Sequence, residues 1–173
     1  GPMNLYFSEY MEGSSNNKAI EIYNAGDSDA DLRRATVIKA VNGGSLDADN
    51  QNVIPLSGTL AAGEVFVIAH SSANDAILAE SDLQTSDLNF NGDDAVALYV
   101  DDVKVDQIGT DDGEDPGNGF TVGGVADASQ NATMIRRGTV SAGNAGDWAT
   151  SAGTTPEDSE WIVLGQDTIA YLG

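Results

Sequence analysis

The segment richest in groups that could hold an ion is Thr110-Asp111-Asp112-Gly113-Glu114-Asp115-Pro116-Gly117-Asn118-Gly119. Calcium takes about six to eight oxygen ligands and favours carboxylates, amide oxygens and backbone carbonyls. Asp111, Asp112, Glu114 and Asp115 bring carboxylates, Asn118 an amide oxygen, and the Gly-rich backbone free carbonyls. The spacing is not that of an EF-hand, which needs Asp-x-Asp-x-Asp-Gly and a closing Glu. The loop is the best calcium candidate, with Asp111, Asp112, Glu114, Asp115 and Asn118 as the candidate ligands of a stabilising ion. The reading that ranks ahead of it is a plain solvated turn, since turns share this composition. Asp47-Ala48-Asp49-Asn50-Gln51 is a weaker second candidate.

Other chemistries find less material. His70 is the only histidine, and Ser71-Ser72 follow it. Nucleophilic catalysis needs a base that touches the nucleophile and an acid that orients the base. Adjacent residues on an extended chain point to opposite faces, so Ser71 is badly placed and His70 reads as the structural end of a strand. No Gly-x-Ser-x-Gly elbow occurs. No His/Cys cluster exists for zinc, and cysteine is absent, which removes disulfide and thiolate chemistry. Carboxylates pair at Asp93-Asp94, Asp101-Asp102, Asp111-Asp112 and Glu114-Asp115, but a chain with 28 acidic residues pairs some of them without function. Trp148, Trp161, Tyr10, Tyr23 and Tyr99 could line a carbohydrate-binding face; aromatic residues this sparse more often serve the core or its rim.

The net charge of −21, from 28 acidic and 7 basic residues, makes a solvated, self-repelling surface. Phosphate binding needs clustered Lys and Arg. Adjacent basic residues occur only as Arg33-Arg34 and Arg136-Arg137, so little direct nucleic-acid binding is expected.

Short strands must position all these groups. Phe7 to Glu12 alternates, with Phe7, Glu9 and Met11 on one side and Ser8, Tyr10 and Glu12 on the other. Gly13 to Asn17 is a polar turn, and Ala19 to Tyr23 alternates again, so a hairpin is the simplest outcome. Thr36 to Val41 reads as a strand, and Val53 to Leu56, interrupted by Pro55, as an edge piece. Glu64 to His70 is nearly continuous in apolar residues and should be buried on both faces. Ala73 to Glu80 is the one plausible helix, capped by Ser72. Asp93 to Val100 and Val103 to Ile108 form a hairpin around Asp101-Asp102. Residues 109–124 and 138–160 are loop-rich, with strands at Ala132 to Arg136 and Trp161 to Leu164. The pattern predicts an all-β antiparallel sandwich with long loops and one short helix; a closed barrel is the alternative.

The run Ser8-Glu9-Tyr10-Met11-Glu12-Gly13-Ser14-Ser15-Asn16-Asn17-Lys18-Ala19-Ile20-Glu21-Ile22-Tyr23-Asn24 resembles the opening of the bacterial lamin-tail-type domain. The resemblance continues through Leu60-Ala61-Ala62-Gly63-Glu64-Val65-Phe66-Val67-Ile68-Ala69-His70-Ser71 and Phe90-Asn91-Gly92-Asp93-Asp94-Ala95-Val96-Ala97-Leu98. It closes with Asp147-Trp148 and Ser159-Glu160-Trp161. It implies an immunoglobulin-like sandwich, a module often found at the front of large secreted nucleases and without agreed chemistry of its own.

From this resemblance the expected function is a non-catalytic accessory module of a secreted or cell-surface bacterial protein, with an extracellular nuclease as the expected parent. The expected partner is the catalytic domain of the same parent chain, or a cell-surface or extracellular-matrix component. The alternative is a stand-alone carbohydrate-binding or calcium-stabilised cell-surface domain; a small hydrolase built on loop carboxylates ranks third. No cofactor is required, with calcium as an optional ligand. Residues 1–3 read as the remnant of a cleaved expression tag and 4–173 as one domain. No apolar run is long enough to span a membrane, and a leader removed with the tag would leave no trace, so export is open on this ground.

Overall fold

Apolar residues on the inward faces of two sheets meet in a common core. A computed structural model describes residues 2–46 and 51–173; Gly1 of the expected tag remnant, and Asp47 to Asn50 of the second acidic candidate, lie outside the described residues. The elements in chain order are β1 (Leu5–Glu12), β2 (Lys18–Asn24), β3 (Ala30–Asp31), a 3₁₀ turn (Leu32–Arg34), β4 (Ala35–Lys39), β5 (Asn52–Pro55), β6 (Thr59–Leu60), β7 (Val65–Ala69), α1 (Asp75–Glu80), β8 (Leu83–Gln84), β9 (Val96–Val100), β10 (Val103–Ile108), β11 (Ala132–Arg136), α2 (Trp148–Ala152) and β12 (Trp161–Leu164). A six-stranded sheet runs in the order β12-β11-β1-β2-β7-β8 and a four-stranded one in the order β10-β9-β4-β5, with β3 and β6 forming a small separate ladder. All named pairings are antiparallel except β7 with β8. This is the expected all-β immunoglobulin-like sandwich.

Leu5, Phe7, Tyr10, Ile20, Ile22, Ile68, Met134 and Trp161 from the larger sheet pack against Val37, Ile54, Val96, Leu98 and Ile108 from the smaller. A second cluster lies on the outer face of the larger sheet, where Met11, Ala19, Val67 and Ala69 are covered by Ile77 of α1 and by Leu172. Strand β7 therefore is buried on both faces, as its continuous apolar run predicts: Ile68 joins the inner cluster and Val67 the outer one. The hairpin of β9 and β10 also forms as predicted; Asp101 and Asp102 adopt φ of 51° and 64°, the left-handed pair that a tight hairpin turn requires.

Several expectations need correction. The strict alternation of β1 fails because the β1–β2 register shifts between Phe7 and Glu9. The extra residue at this bulge turns the following side chains over. Phe7 and Tyr10 consequently share the inner cluster, whereas Met11 joins the outer one. The cap of α1 is Asn74, not Ser72: its side chain accepts the Ile77 N–H at 3.0 Å. A second short helix, α2, forms where one was expected in all. Asp147 caps it by accepting the Thr150 N–H at 3.2 Å, and Gly153 ends it at φ 69°. Asp147-Trp148 is thus a helix start inside a segment whose composition reads as loop.

Candidate functional site

Three groups of buried charges sit where strands of different sheets, or adjacent strands of one sheet, meet. The first joins the sheets. Arg136 ends β11 and points inward beside Trp161, its cross-strand neighbour, with its guanidinium carbon 4.7 Å from the indole centroid and 5.5 Å from that of Tyr6. It meets Asp106 of β10 in a two-pronged contact, Nη1 to Oδ2 at 2.5 Å and Nη2 to Oδ1 at 3.1 Å, with both side chains essentially inaccessible. Asp106 lies where β10 bulges, between Lys104 and Asp106. Its Oδ2 also accepts the Phe7 N–H at 2.8 Å, and Arg136 Nη1 donates to the Phe7 carbonyl at 2.9 Å. The ion pair thus satisfies the backbone of the β1 bulge. Glu160 adds a contact to Nη2 at 3.0 Å. Burial pulls the Arg136 pKa down, but the hydrogen bonds and charges of Asp106 and Glu160 outweigh it and hold the pKa above its ordinary value.

The second group closes one end of the sandwich. Glu12 and Lys18 face each other across the first hairpin, 3.5 Å apart and both buried. Lys18 Nζ also donates to the Phe90 carbonyl and to Asn91 Oδ1, the latter at 3.1 Å. Asp94 gathers the Asn91 and Asn42 N–H groups at 3.1 and 2.9 Å and pairs with buried Lys39 at 3.8 Å. Phe90-Asn91-Gly92-Asp93-Asp94 therefore works as a knot between the sheets. Beside Asp94, the Asp93 carboxyl is pushed up by burial, then by Asp94 and Asp115.

The third group is a carboxyl pair. Glu9 and Glu21 are directly opposed on the outer face of β1 and β2, 1% and 5% exposed. Burial, aided by Glu21, lifts Glu9 to about 8, and its Oε2 has no hydrogen-bond partner. Glu21 is raised mainly by burial, opposed by hydrogen bonds from the Ser8 hydroxyl at 2.7 Å and the Gly173 N–H at 2.8 Å.

The residues singled out for chemistry are spread around these groups. In the 110–119 loop, Asp111 pairs with Lys104 at 3.6 Å and accepts from Gln107 at 3.2 Å. Asp112 and Asp115 accept the N–H groups of Glu114 and Gly117, two residues on in each case, at 3.0 and 2.9 Å. These are side-chain-closed turns. Asp112, Glu114 and Asp115 are exposed, as is Asn118. Among the described residues, no three His, Cys, Asp or Glu side chains converge closely enough to hold a metal ion. His70 Nδ1 accepts the Ser72 N–H at 2.9 Å, and burial and then Lys18 depress its pKa. Its ring orders the turn after β7. Trp161, Tyr10 and Trp148 are 1%, 0% and 6% exposed, so they present no stacking platform. The basic pairs form no positive patch: Arg33 binds Asp31, Arg34 binds Asp101, Arg136 is internal, and Arg137 donates to the Ser159 and Pro156 carbonyls at 2.9 and 2.6 Å.

Sequence reasoning missed the Arg136–Asp106 contact, the Glu9–Glu21 pair and the Glu12–Lys18–Asn91 cluster. One signal was present: Asp106 shares an alternating face with Ile108, an inward place for a charge, and such a place calls for a partner. Nothing in the spacing names Arg136 as that partner.

The family model described as Lamin Tail Domain matches residues 1–112. No curated protein matches the chain. The matched stretch ends before β11 and β12, yet β11 pairs with β1 and carries Arg136 into the core.

Proposed function

This chain belongs to the lamin tail domain family, and from that membership we propose a non-catalytic accessory module of a secreted or surface-bound bacterial protein. In this reading the parent is an extracellular nuclease, whose catalytic domain this module positions or stabilises. Residues 4–173 act as one folding unit, since β11 and β12 extend the sheet that β1 and β2 begin. The observation that carries the reading is where the chemistry-bearing side chains are spent. His70 holds a turn, Arg136 and Asp106 hold the sheets, and Lys18, Lys39 and Asp94 hold one end of the sandwich. A group committed to buried structural contacts is poorly placed to turn over substrate. With Arg33 and Arg34 paired to Asp31 and Asp101 and the net charge at −21, phosphate binding is disfavoured, and this reading takes a protein or cell-surface component as the partner.

Calcium enters this reading only as a stabilising ligand of the loop bearing Asp111, Asp112, Glu114, Asp115 and Asn118. Closing the loop on an ion would swing its exposed carboxylates together. No helix among the described residues is long and apolar enough to cross a membrane. The decisive experiment compares the parent protein with and without this module. Loss of export, stability or placement with intact intrinsic chemistry is expected; loss of a chemical step that the isolated chain itself performs would overturn the reading.

A further inference from the structure

Lys18, Asn91 and Glu12 form an arrangement that goes beyond ion pairing. Lys18 Nζ stands 3.1 Å from Asn91 Oδ1 and 3.5 Å from Glu12 Oε1, with the Lys18 and Glu12 side chains 6% and 8% exposed. We propose that Lys18 and Asn91 join in an intramolecular isopeptide bond, formed by the folded chain itself with Glu12 as the proton carrier.

The chemistry follows from the placement. A carbonyl C=O bond is about 1.2 Å long, so an amine at hydrogen-bond distance from Oδ1 is close to Cγ as well. Reacting atoms held about 3–3.5 Å apart in a fixed site react as though at very high concentration. The site is fixed from every side. Asn91 donates its N–H to Asp94 at 3.1 Å, Ser129 Oγ donates to the Gly92 carbonyl at 2.5 Å, and Glu12 Oε2 accepts the Asn131 N–H at 2.5 Å. Gly92 adopts φ of 100°, and a Cβ there would lie 2.8 Å from Gln130 Cα, so the loop carrying Asn91 passes through a slot only glycine fits. Fully buried Tyr10 and Phe90 stack beside it at 4.6 Å, keeping the surroundings apolar.

Lys18 Nζ first gives a proton to Glu12 Oε1, which frees its lone pair. The amine attacks Asn91 Cγ, forming the Nζ–Cγ bond and a tetrahedral centre. Glu12 carries protons from Nζ to Nδ2, the Cγ–Nδ2 bond breaks, and the carbonyl re-forms. Of the hydrogens on Nζ and Nδ2, one stays on the new amide nitrogen and the rest leave as ammonium. No oxidant or cofactor takes part. A neutral, desolvated lysine amine is a competent nucleophile, and a carboxylate in contact is its natural base. The bond would tie the start of β2 to the loop that feeds β9, 73 residues along the chain, in a protein without cysteine.

The test is the intact mass of the folded protein, followed by peptide mapping. The expected mass is one ammonia below the sequence mass, with a branched peptide joining the segments around Lys18 and Asn91. Asn91-Gly92 can also lose ammonia by closing a succinimide on its own backbone, but that product stays in one linear peptide and forms without Lys18. Lys18→Arg and Glu12→Gln should therefore return the full mass. A folded wild-type chain at full sequence mass, or an ammonia deficit that persists in Lys18→Arg, overturns the proposal. The wild-type peptide map decides the matter even where a variant fails to fold.

Discussion

Arg136 and Asp106, 30 residues apart, meet between the two sheets in a two-pronged contact whose members also accept and donate at the Phe7 backbone. Each sheet supplies one partner, and each partner sits beside a bulge: β1 shifts register at Phe7 and β10 at Asp106. A bulge leaves backbone groups without ladder partners, and a buried N–H or C=O left unmade is costly. The ion pair fills that need, so the two irregularities and the two charges form one unit.

Breaking this unit should be severe. Asp106→Ala leaves a buried guanidinium and the Phe7 N–H without their partner, and about 3–5 kcal/mol of destabilisation is expected in urea unfolding. Arg136→Met with Asp106→Leu should cost less than the two single changes added together, since the double variant buries no lone charge. Additive losses below about 1 kcal/mol would show that the pair is peripheral to stability.

Glu9 gives the fold a pH dependence of defined sign. Its folded pKa, about 8, lies above its unfolded value, so the folded state binds the extra proton. That stability is fully present below the unfolded pKa and is lost as pH rises through about 8. Glu9→Gln, which cannot ionise, should be nearly neutral at pH 4 and stabilising by about 2 kcal/mol at pH 9, after discounting for partial screening by solvent. Parallel stability profiles for the two proteins from pH 4 to 9 would contradict this.

Gly92→Ala should destabilise by about 1–3 kcal/mol, because the backbone there is left-handed and a Cβ would strike Gln130. Gly63→Ala, at φ 80° but with open space around it, should cost less. Equal losses at the two positions would mean that backbone strain alone, without the close approach, sets the effect.

Purified chain incubated with plasmid, magnesium and calcium should leave the DNA intact, and a band shift at low salt should be faint. Arg33 and Arg34 are occupied by Asp31 and Asp101, and Arg136 is internal. Tight binding that weakens on Arg137→Ala would reveal a surface that the pairing conceals.

Calcium should raise the melting temperature beyond the effect of sodium chloride at equal ionic strength. Asp112 and Asp115 each accept a backbone N–H through Oδ1, which leaves Oδ2 to meet a cation. A ligand that binds only the folded state stabilises it by mass action. Asp112→Asn with Asp115→Asn should abolish the difference, and superimposable melts in calcium and chelator would remove calcium from the reading.

The sequence by itself determined the elements that rest on local physics. The double burial of β7 follows from its unbroken apolar run, and the β9–β10 hairpin from Asp101-Asp102 between two strand-forming segments. The β1–β2 hairpin follows from alternation interrupted by Gly13 to Asn17. Unusual residue order from Ser8 to Asn24 pointed to the family that the 1–112 match then showed. Tertiary structure alone decided the rest. Phe7 finds Asp106 across 99 residues and Lys18 finds Asn91 across 73. Glu9 opposes Glu21 only because a bulge at Phe7 resets the register. A side chain's spacing along the chain sets which face of its own strand it occupies, whereas a buried charge finds its partner through register and sheet-on-sheet packing, which no local period carries.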